Sequence, residues 1–268
     1  MIKKIKKEFI SIIITNFNKG KFLEKSLISV LNQDYKNYEI IIFDDCSTDN
    51  SLKIINKFKN RVKLIINKKK KFSSSPLNQI NGIIQAFKKC NGKIICLLDS
   101  DDRFDNKKLL KINNFFQNNI KKNLVVNSIK GKSNFKLKRI NASKTTWPTI
   151  FPTSCISFRA SFFKSFIKKV KSRSLPNLEI DARLIIYAYH YKKDFNIIFD
   201  KLTQYIVSHN SISTNYIKFS KNWWFKRKEA FEYLQYILKQ KKILFFKSCD
   251  YMITNTVSLF FYLLDRKW

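Results

Sequence analysis

One stretch limits what this chain can become: KIICLLDSDD, Lys93 to Asp102. Ile94 to Leu98, with Cys96 among them, form an apolar run that reads as a strand buried on both faces. The run ends abruptly in three carboxylates within four residues, Asp99, Asp101 and Asp102. Like charges so close oppose one another's ionisation unless a cation sits among them. A hard divalent ion, Mg2+ or Mn2+, suits carboxylate oxygens and can hold a diphosphate at the same time. Taken alone, the same letters also describe a solvated acidic turn ahead of a helix near Asn106, so the neighbouring sequence has to decide.

Upstream, the period of the apolar residues switches between strand and helix. Phe9 to Thr15 is β-branched and reads as a central strand, followed by a polar break over Asn16 to Lys21. Phe22, Leu23, Leu27, Val30 and Leu31 then recur at helical spacing. Tyr38 to Phe43 is a second strand, and it too ends in a polar cluster, Asp44 to Asp49, in which Ser47 or Thr48 is placed to cap a helix from Asn50 to Phe58. Val62 to Ile66 is a third strand. The four lysines Lys68 to Lys71 read as a solvated loop rather than a phosphate site. Ser75 to Cys90 is a helix whose buried face carries Ile80, Ile83, Ile84 and Phe87. Strand–helix–strand crossovers imply a parallel sheet, and ligands gather at the carboxyl edge of such sheets, where these polar clusters fall. The expected fold is α/β, a Rossmann-like α/β/α sandwich.

Charge and cysteine usage bound the partners. The 268 residues carry 53 Lys+Arg against 19 Asp+Glu, a net charge of +34, which by itself favours nucleic acid or an anionic membrane. Lys, Asn, Ile and Phe share A/T-rich codons, and only four Gly and four Pro occur, so base composition accounts for much of the lysine. With no Arg-rich groove helix, RNP-like aromatic strand or finger spacing, nucleic acid is not expected as a partner. Five cysteines without a CxxC pair argue for reduced thiols and a cytoplasmic protein. MIKKIKKEFISIII reads as a first strand rather than a signal peptide, and no run approaches the roughly 18 apolar residues of a membrane span, so any membrane contact is expected to be peripheral.

Three pieces, Ser11 to Gln33, Tyr38 to Ser51 and Lys93 to Asp102, resemble in order and spacing the family 2 glycosyltransferases of the GT-A fold. The resemblance covers roughly the first 105 residues. It implies transfer of a sugar from a nucleotide diphosphate donor, with a UDP-sugar as first expectation, and a Mn2+ or Mg2+ cofactor. By that resemblance Thr15, Asn16, Asn18, Asp44, Asp45, Asp99 and Ser100 cradle the nucleotide sugar, and Asp99, Asp101 and Asp102 hold the metal. Many members carry a basic residue shortly before the glycine of the helix preceding the acidic strand, but LNQING, Leu77 to Gly82, has none. The diphosphate charge then falls to the metal or to lysines from elsewhere such as Lys68 to Lys71, or donor affinity is reduced.

The second half supplies the acceptor side. Asn106 to Phe116 reads as a helix, Leu124 to Ser128 as a strand, Lys130 to Lys144 as a closing loop, and Ser154 to Phe158 as a strand after a Pro-bounded turn, with Thr153 and Ser154 as acceptor candidates. An inverting transferase needs a base for the acceptor hydroxyl, and the family's base is an acid at the start of a helix in this region. LEIDARLIIYAY offers Asp181 as first choice and Glu179 as second, a helix-terminal charge being the plainer reading of Glu179. Ile197 to Tyr205 is a strand leading to His209, which in relatives ligates the metal or bonds the diphosphate, while His190 is expected to be structural. The expected division is a transferase domain over 1–215, split into a donor half 1–105 and an acceptor half 106–215, and an amphipathic helical extension over 216–268. The acceptor is expected to be a glycan or lipid-linked saccharide. A non-catalytic nucleotide-binding or membrane-surface module of the same fold is the alternative.

Overall fold

The computed structural model describes residues 7–131, 147–170, 175–206, 215–238 and 248–265. Its centre is an eight-stranded sheet in the order β3-β2-β1-β4-β7-β6-β8-β5. The strands are β1 Ile10–Asn16, β2 Tyr38–Asp45, β3 Lys63–Asn67, β4 Ile94–Asp99, β5 Arg103–Phe104, β6 Leu124–Ile129, β7 Ile156–Arg159 and β8 Asn196–Gln204. The first four run parallel, whereas β7 lies antiparallel between β4 and β6.

Alternation along each central strand sends side chains to two separate cores. Ile10, Ile12 and Ile14 of β1, Ile40 and Ile42 of β2, and Ile94, Cys96 and Leu98 of β4 share one face. Against them pack α1 Gly20–Leu31, α2 Ser51–Lys57 and α4 Lys108–Asn118. Ile13, Ile41, Phe43, Ile95 and Leu97 take the opposite face. That face is covered by α3 Ser75–Phe87, α5 Ala160–Val170, α6 Ile180–Ile186 and α7 Lys221–Leu238. Strands hydrophobic at every position, as β4 is, are stable only when covered on both sides, each fully buried Ile or Leu contributing about 1.5–3 kcal/mol.

Two local features set the helices beside the carboxyl edge. Ser74 caps α3 by accepting from the Leu77 amide at 3.2 Å, with Pro76 in the first turn. Gly82 then lets α3 lie directly on β2, because a Cβ there would stand 2.6 Å from the Phe43 ring. The expected caps of α2 are not used: its N-cap is Asn50, and Ser47 and Thr48 instead bond Asn16 and Asn18 of the first loop. Helix α5 was not foreseen. The strand expected from Ser154 begins at Ile156, because Thr153–Cys155 forms a 3-10 turn. A π-helical turn, Tyr187–Lys192, extends α6 and ends at Lys193 in the left-handed region, φ 54°.

The C-terminal segment shares the main core. Phe231, Tyr233, Leu234 and Ile237 of α7 are buried in the same cluster as α3, α5 and α6, and α8, Cys249–Asp265, packs along α7. No helix among the described residues is long and apolar enough to cross a membrane.

Candidate active site

Register delivers the polar strand ends to one place. Asn16 pairs with Asp44 across β1 and β2, and Thr15 pairs with Asp99 across β1 and β4, so the three strands stop together. Beyond them opens a cleft of about 580 Å³. Thr15, Asn16, Asp45, Asp99, Ser100, Asp101, Glu179 and Asp181 all line it, with Lys19, Lys70, Gln79, Thr153 and Lys226.

The donor side is built from two loops tied to each other. Asp44 is fully buried, accepting from Asn16 Nδ2 at 2.7 Å and from the Ser47 amide at 2.9 Å. Asn18 takes the left-handed conformation that Asn tolerates, φ 50°, and its Oδ1 accepts from the Thr48 amide at 2.7 Å. Neither Asp44 nor Asn18 lines the cleft, and both brace the residues that do. Asn16 Oδ1, by contrast, is buried with no hydrogen-bond partner among the described residues, an acceptor left open in the cleft wall. Asp45 accepts from Asn67 Nδ2 at 2.7 Å. Lys70, from the lysine run, stacks 3.4 Å above the Phe17 ring and reaches the cleft.

The acidic strand end is short of positive charge. Burial, then Asp102, Asp101 and Asp181 in turn, hold the Asp99 carboxyl well above the usual range, against the opposing hydrogen bond from Gln79. That bond runs from Gln79 Nε2 to Asp99 Oδ1 at 2.8 Å, and Gln79 stands three residues before Gly82 in the segment without a cation. Thr15 Oγ1 donates weakly to the same oxygen at 3.4 Å, and the Asp99 amide donates to Ser154 Oγ at 2.9 Å. Asp101 pairs with Lys19 Nζ at 2.8 Å, a cation at the N-cap of α1. Asp102 turns away from the cleft: it is fully buried, and Oδ1 accepts from the Ile206 amide at 2.8 Å. Burial above all pushes its carboxyl up to about 7, with hydrogen bonds from Ser154 and Ile206 opposing. Beneath lies Lys108, fully buried, donating to Ser154 O at 2.5 Å and Thr203 Oγ1 at 3.0 Å. Burial lowers its ammonium to about 8.

Across the cleft stand Glu179 and Asp181. The segment before α6 is held by Arg183, whose Nε and Nη2 donate to Leu178 O and Leu175 O at 2.9 and 2.7 Å. From α7, Glu229 accepts from the Asn177 amide at 2.7 Å and from its side chain at 2.6 Å. Asp181, in the first turn of α6, accepts from the Ala182 amide at 2.6 Å. Its carboxyl is raised to about 7, by burial first and the Glu179 charge second, while Lys226 opposes the shift. Glu179 Oε2 forms an ion pair with Lys226 Nζ of α7, and Oε1 is buried with no hydrogen-bond partner among the described residues.

The sequence reading missed Lys19, Gln79, Lys108 and Lys226. Lys19 adjoins the glycine of the first polar break, a signal that was available. Lys226 lies 47 residues from its partner, and nothing local announces the pairing. His209 and nearly all of the expected closing loop, from residue 132 onward, fall outside the described residues.

A parallel β3-β2-β1-β4 core with acids gathered at its carboxyl edge is the architecture of GT-A glycosyltransferases. Structure 1–349 of Staphylococcus aureus TarS in complex with UDP superposes with TM-score 0.63 at 17% identity, over 87% of this chain and 67% of that one. The mannosyltransferase PcManGT from Pyrobaculum calidifontis, in complex with GDP-Man and Mn2+, gives 0.63 at 13% identity, over 94% and 70%. Residues 11–180 match the family model "Glycosyl transferase family 2", and the chain belongs to that family. Fold and family are those expected from the sequence. Among curated relatives is the Escherichia coli UDP-Glc:alpha-D-GlcNAc-diphosphoundecaprenol beta-1,3-glucosyltransferase WfgD, 34% identical over 113 residues, 41% of this chain and 42% of that protein. The chain spans less than half the length of the first curated relatives it matches.

Proposed function

We propose that this chain transfers a glycosyl group from a nucleoside diphosphate sugar to an acceptor hydroxyl, with inversion, Asp181 taking the acceptor's proton. The observation that carries this reading is Asp181 itself. A carboxylate held at a helix start, facing the Asp99–Asp101 edge across one cleft and raised to about 7, is matched to general-base work near neutral pH.

The other residues take roles that follow from their placement. Asn16 Oδ1, an acceptor without a donor, and Asp45 suit the imide and hydroxyl donors of a nucleoside. Lys19 and Lys70 are the cations that reach the donor end of the cleft, supplying charge that the LNQING segment lacks. A divalent ion fits the acidic edge, because burial and the charges of Asp102, Asp101 and Asp181 hold the Asp99 carboxyl well above its usual range, a load that a cation there would relieve. Asp101 and Asp99 would hold it, since both line the cleft, and one or two carboxylates plus substrate phosphates are a usual set for Mg2+. Mn2+ or Mg2+ bound there would screen the charge of the departing diphosphate.

UDP-sugars are the first donor class to test, following the UDP bound to TarS, with GDP-mannose second. A diphosphate-lipid-linked saccharide is the acceptor class, following the relatives named for diphosphoundecaprenol substrates. The reaction then belongs at the cytoplasmic face of a membrane, in glycan biosynthesis.

Calorimetry with UDP, with and without Mn2+, is paired with turnover of donor and lipid-linked acceptor. Asp181→Asn is expected to keep UDP affinity and lose about 10²–10⁴ in turnover. Asp101→Asn is expected to lose the Mn2+-dependent part of UDP binding. Full turnover in both variants refutes the assignment.

A further inference from the structure

Helix α8 is inside out. On a surface helix the apolar stripe ordinarily faces the core. Here the residues buried against the body are Thr254 and Ser258, with Ser258 Oγ donating to Trp224 O at 3.3 Å. Met252, Ile253, Leu259, Phe260, Leu263 and Leu264 are 43% to 60% exposed. They recur at i, i+1, i+7, i+8, i+11 and i+12, which places them on one face roughly 18 Å long.

The segment that carries this face is basic in sequence. The two acids of α8 are each taken by a cation of α7, Asp250 by Arg227 and Asp265 by Lys221 at 2.6 Å. Residues 216–268 hold eleven Lys and Arg against four Asp and Glu, a net charge of +7. The Lys221–Asp265 pair also sets the start of α7 beside the end of α8. There Ile217 and Phe219 are 73% and 60% exposed, and Phe219 packs on Trp223 at 5.4 Å. An exposed apolar stripe beside exposed aromatics, in a segment with a net charge of +7, has the composition of a helix lying at a lipid–water interface.

We propose that α8 docks in the plane of an anionic phospholipid bilayer, its apolar face at the acyl boundary, with the net positive charge of the segment drawn to the headgroups. No helix among the described residues is long and apolar enough to span, and α8 has 17 residues against the roughly 20 required, with an acid near each end. Pairing with a second copy would bring two segments of +7 together, whereas anionic headgroups neutralise them. Because α7 also carries Lys226 into the cleft, docking through α8 sets the acceptor end of the cleft near the membrane. The proposal does not depend on the transfer reading.

The test floats the full chain with vesicles of mixed phosphatidylglycerol and phosphatidylcholine, and with phosphatidylcholine alone, alongside sedimentation velocity without lipid. Wild type is expected on the mixed vesicles, about tenfold more than on the neutral ones, and to be released by high salt. Phe260→Glu and Leu263→Glu, both at solvent-facing positions, are expected to keep the melting temperature and lose at least about tenfold in vesicle binding. Failure of wild type to bind mixed vesicles overturns the proposal, as do unchanged binding by both variants, or a wild-type dimer that Leu263→Glu dissociates while neither binds lipid. A protein that binds vesicles yet moves no sugar leaves the proposal standing and removes the transfer reading.

Discussion

Glu179→Gln isolates the electrostatics of the proposed general base. In the wild type the Asp181 carboxyl is raised to about 7, with burial the larger cause and the Glu179 charge the next. A raised carboxyl is neutral, and useless as a base, below that value, so kcat/KM is expected to climb about tenfold between pH 6 and pH 8. Glu179→Gln keeps the shape and removes the neighbouring negative charge. A unit charge at this range moves a pKa by about one unit or more, worth about 1.4 kcal/mol per unit. The acid limb is therefore expected to shift about one unit toward acid, so that at pH 6 the ionised fraction rises from about one in eleven to about one half. Lys226→Met is expected to act in the opposite sense. Without that cation two buried carboxylates remain, and the second ionisation is opposed by the first. The assay is the pH dependence of donor turnover under limiting substrate, with Asp181→Asn expected to flatten the acid limb. An acid limb that stays put in Glu179→Gln, or moves toward alkaline pH, refutes the assignment of Asp181 as the titrating base.

Three further outcomes follow from the geometry. Gly82→Ala sets a Cβ 2.6 Å from the Phe43 ring and is expected to cost about 1–3 kcal/mol in urea unfolding, with weaker UDP binding because Phe43 lines the cleft; an unchanged midpoint contradicts the packing. Lys108→Met removes one of two donors from each of Ser154 O, which keeps Thr203 Oγ1 at 3.1 Å, and Thr203 Oγ1, which keeps Asn127 Nδ2 at 3.0 Å, and is expected to cost about 1–3 kcal/mol by the same measurement. Mn2+ is expected to raise the melting temperature at about pH 7.5 and much less at about pH 5, because the Asp99 carboxyl, held well above its usual range by burial, takes up protons in acid and ligands must be deprotonated; equal stabilisation at both pH values contradicts a carboxylate site.

The architecture was legible because its signals are local. Ile10 to Ile14, Ile40 to Phe43 and Ile94 to Leu98 each alternate or run apolar at strand length, and the acids that follow them stop at one edge by register. Asp45, Asp99, Asp101 and Asp181 were named through the family resemblance, and all four line one cleft. What a strand-end acid faces was less readable. Asp44 and Asp102 are spelled like their neighbours, yet Asp44 is bound by the Asn16 side chain and the Ser47 amide and Asp102 by the distant Ile206 amide, because a side-chain direction at a strand end depends on the amide or amide side chain that meets it. The charge balance of the cleft was hidden by distance along the chain. Lys19 meets Asp101, Gln79 meets Asp99, and Lys226 meets Glu179 only after the sheet and α7 have assembled. The same holds for the direction of α8, whose sequence is amphipathic but does not say which face is inward.

The reach of Lys226 from α7 has a consequence for anyone recombining members of this family. Replacing this chain's tail with one that lacks a cation at this position would strip Glu179 and Asp181 of Lys226 while leaving every residue of the sheet edge in place. Such a hybrid is expected to work at a more alkaline pH than the parent that supplied its first 215 residues.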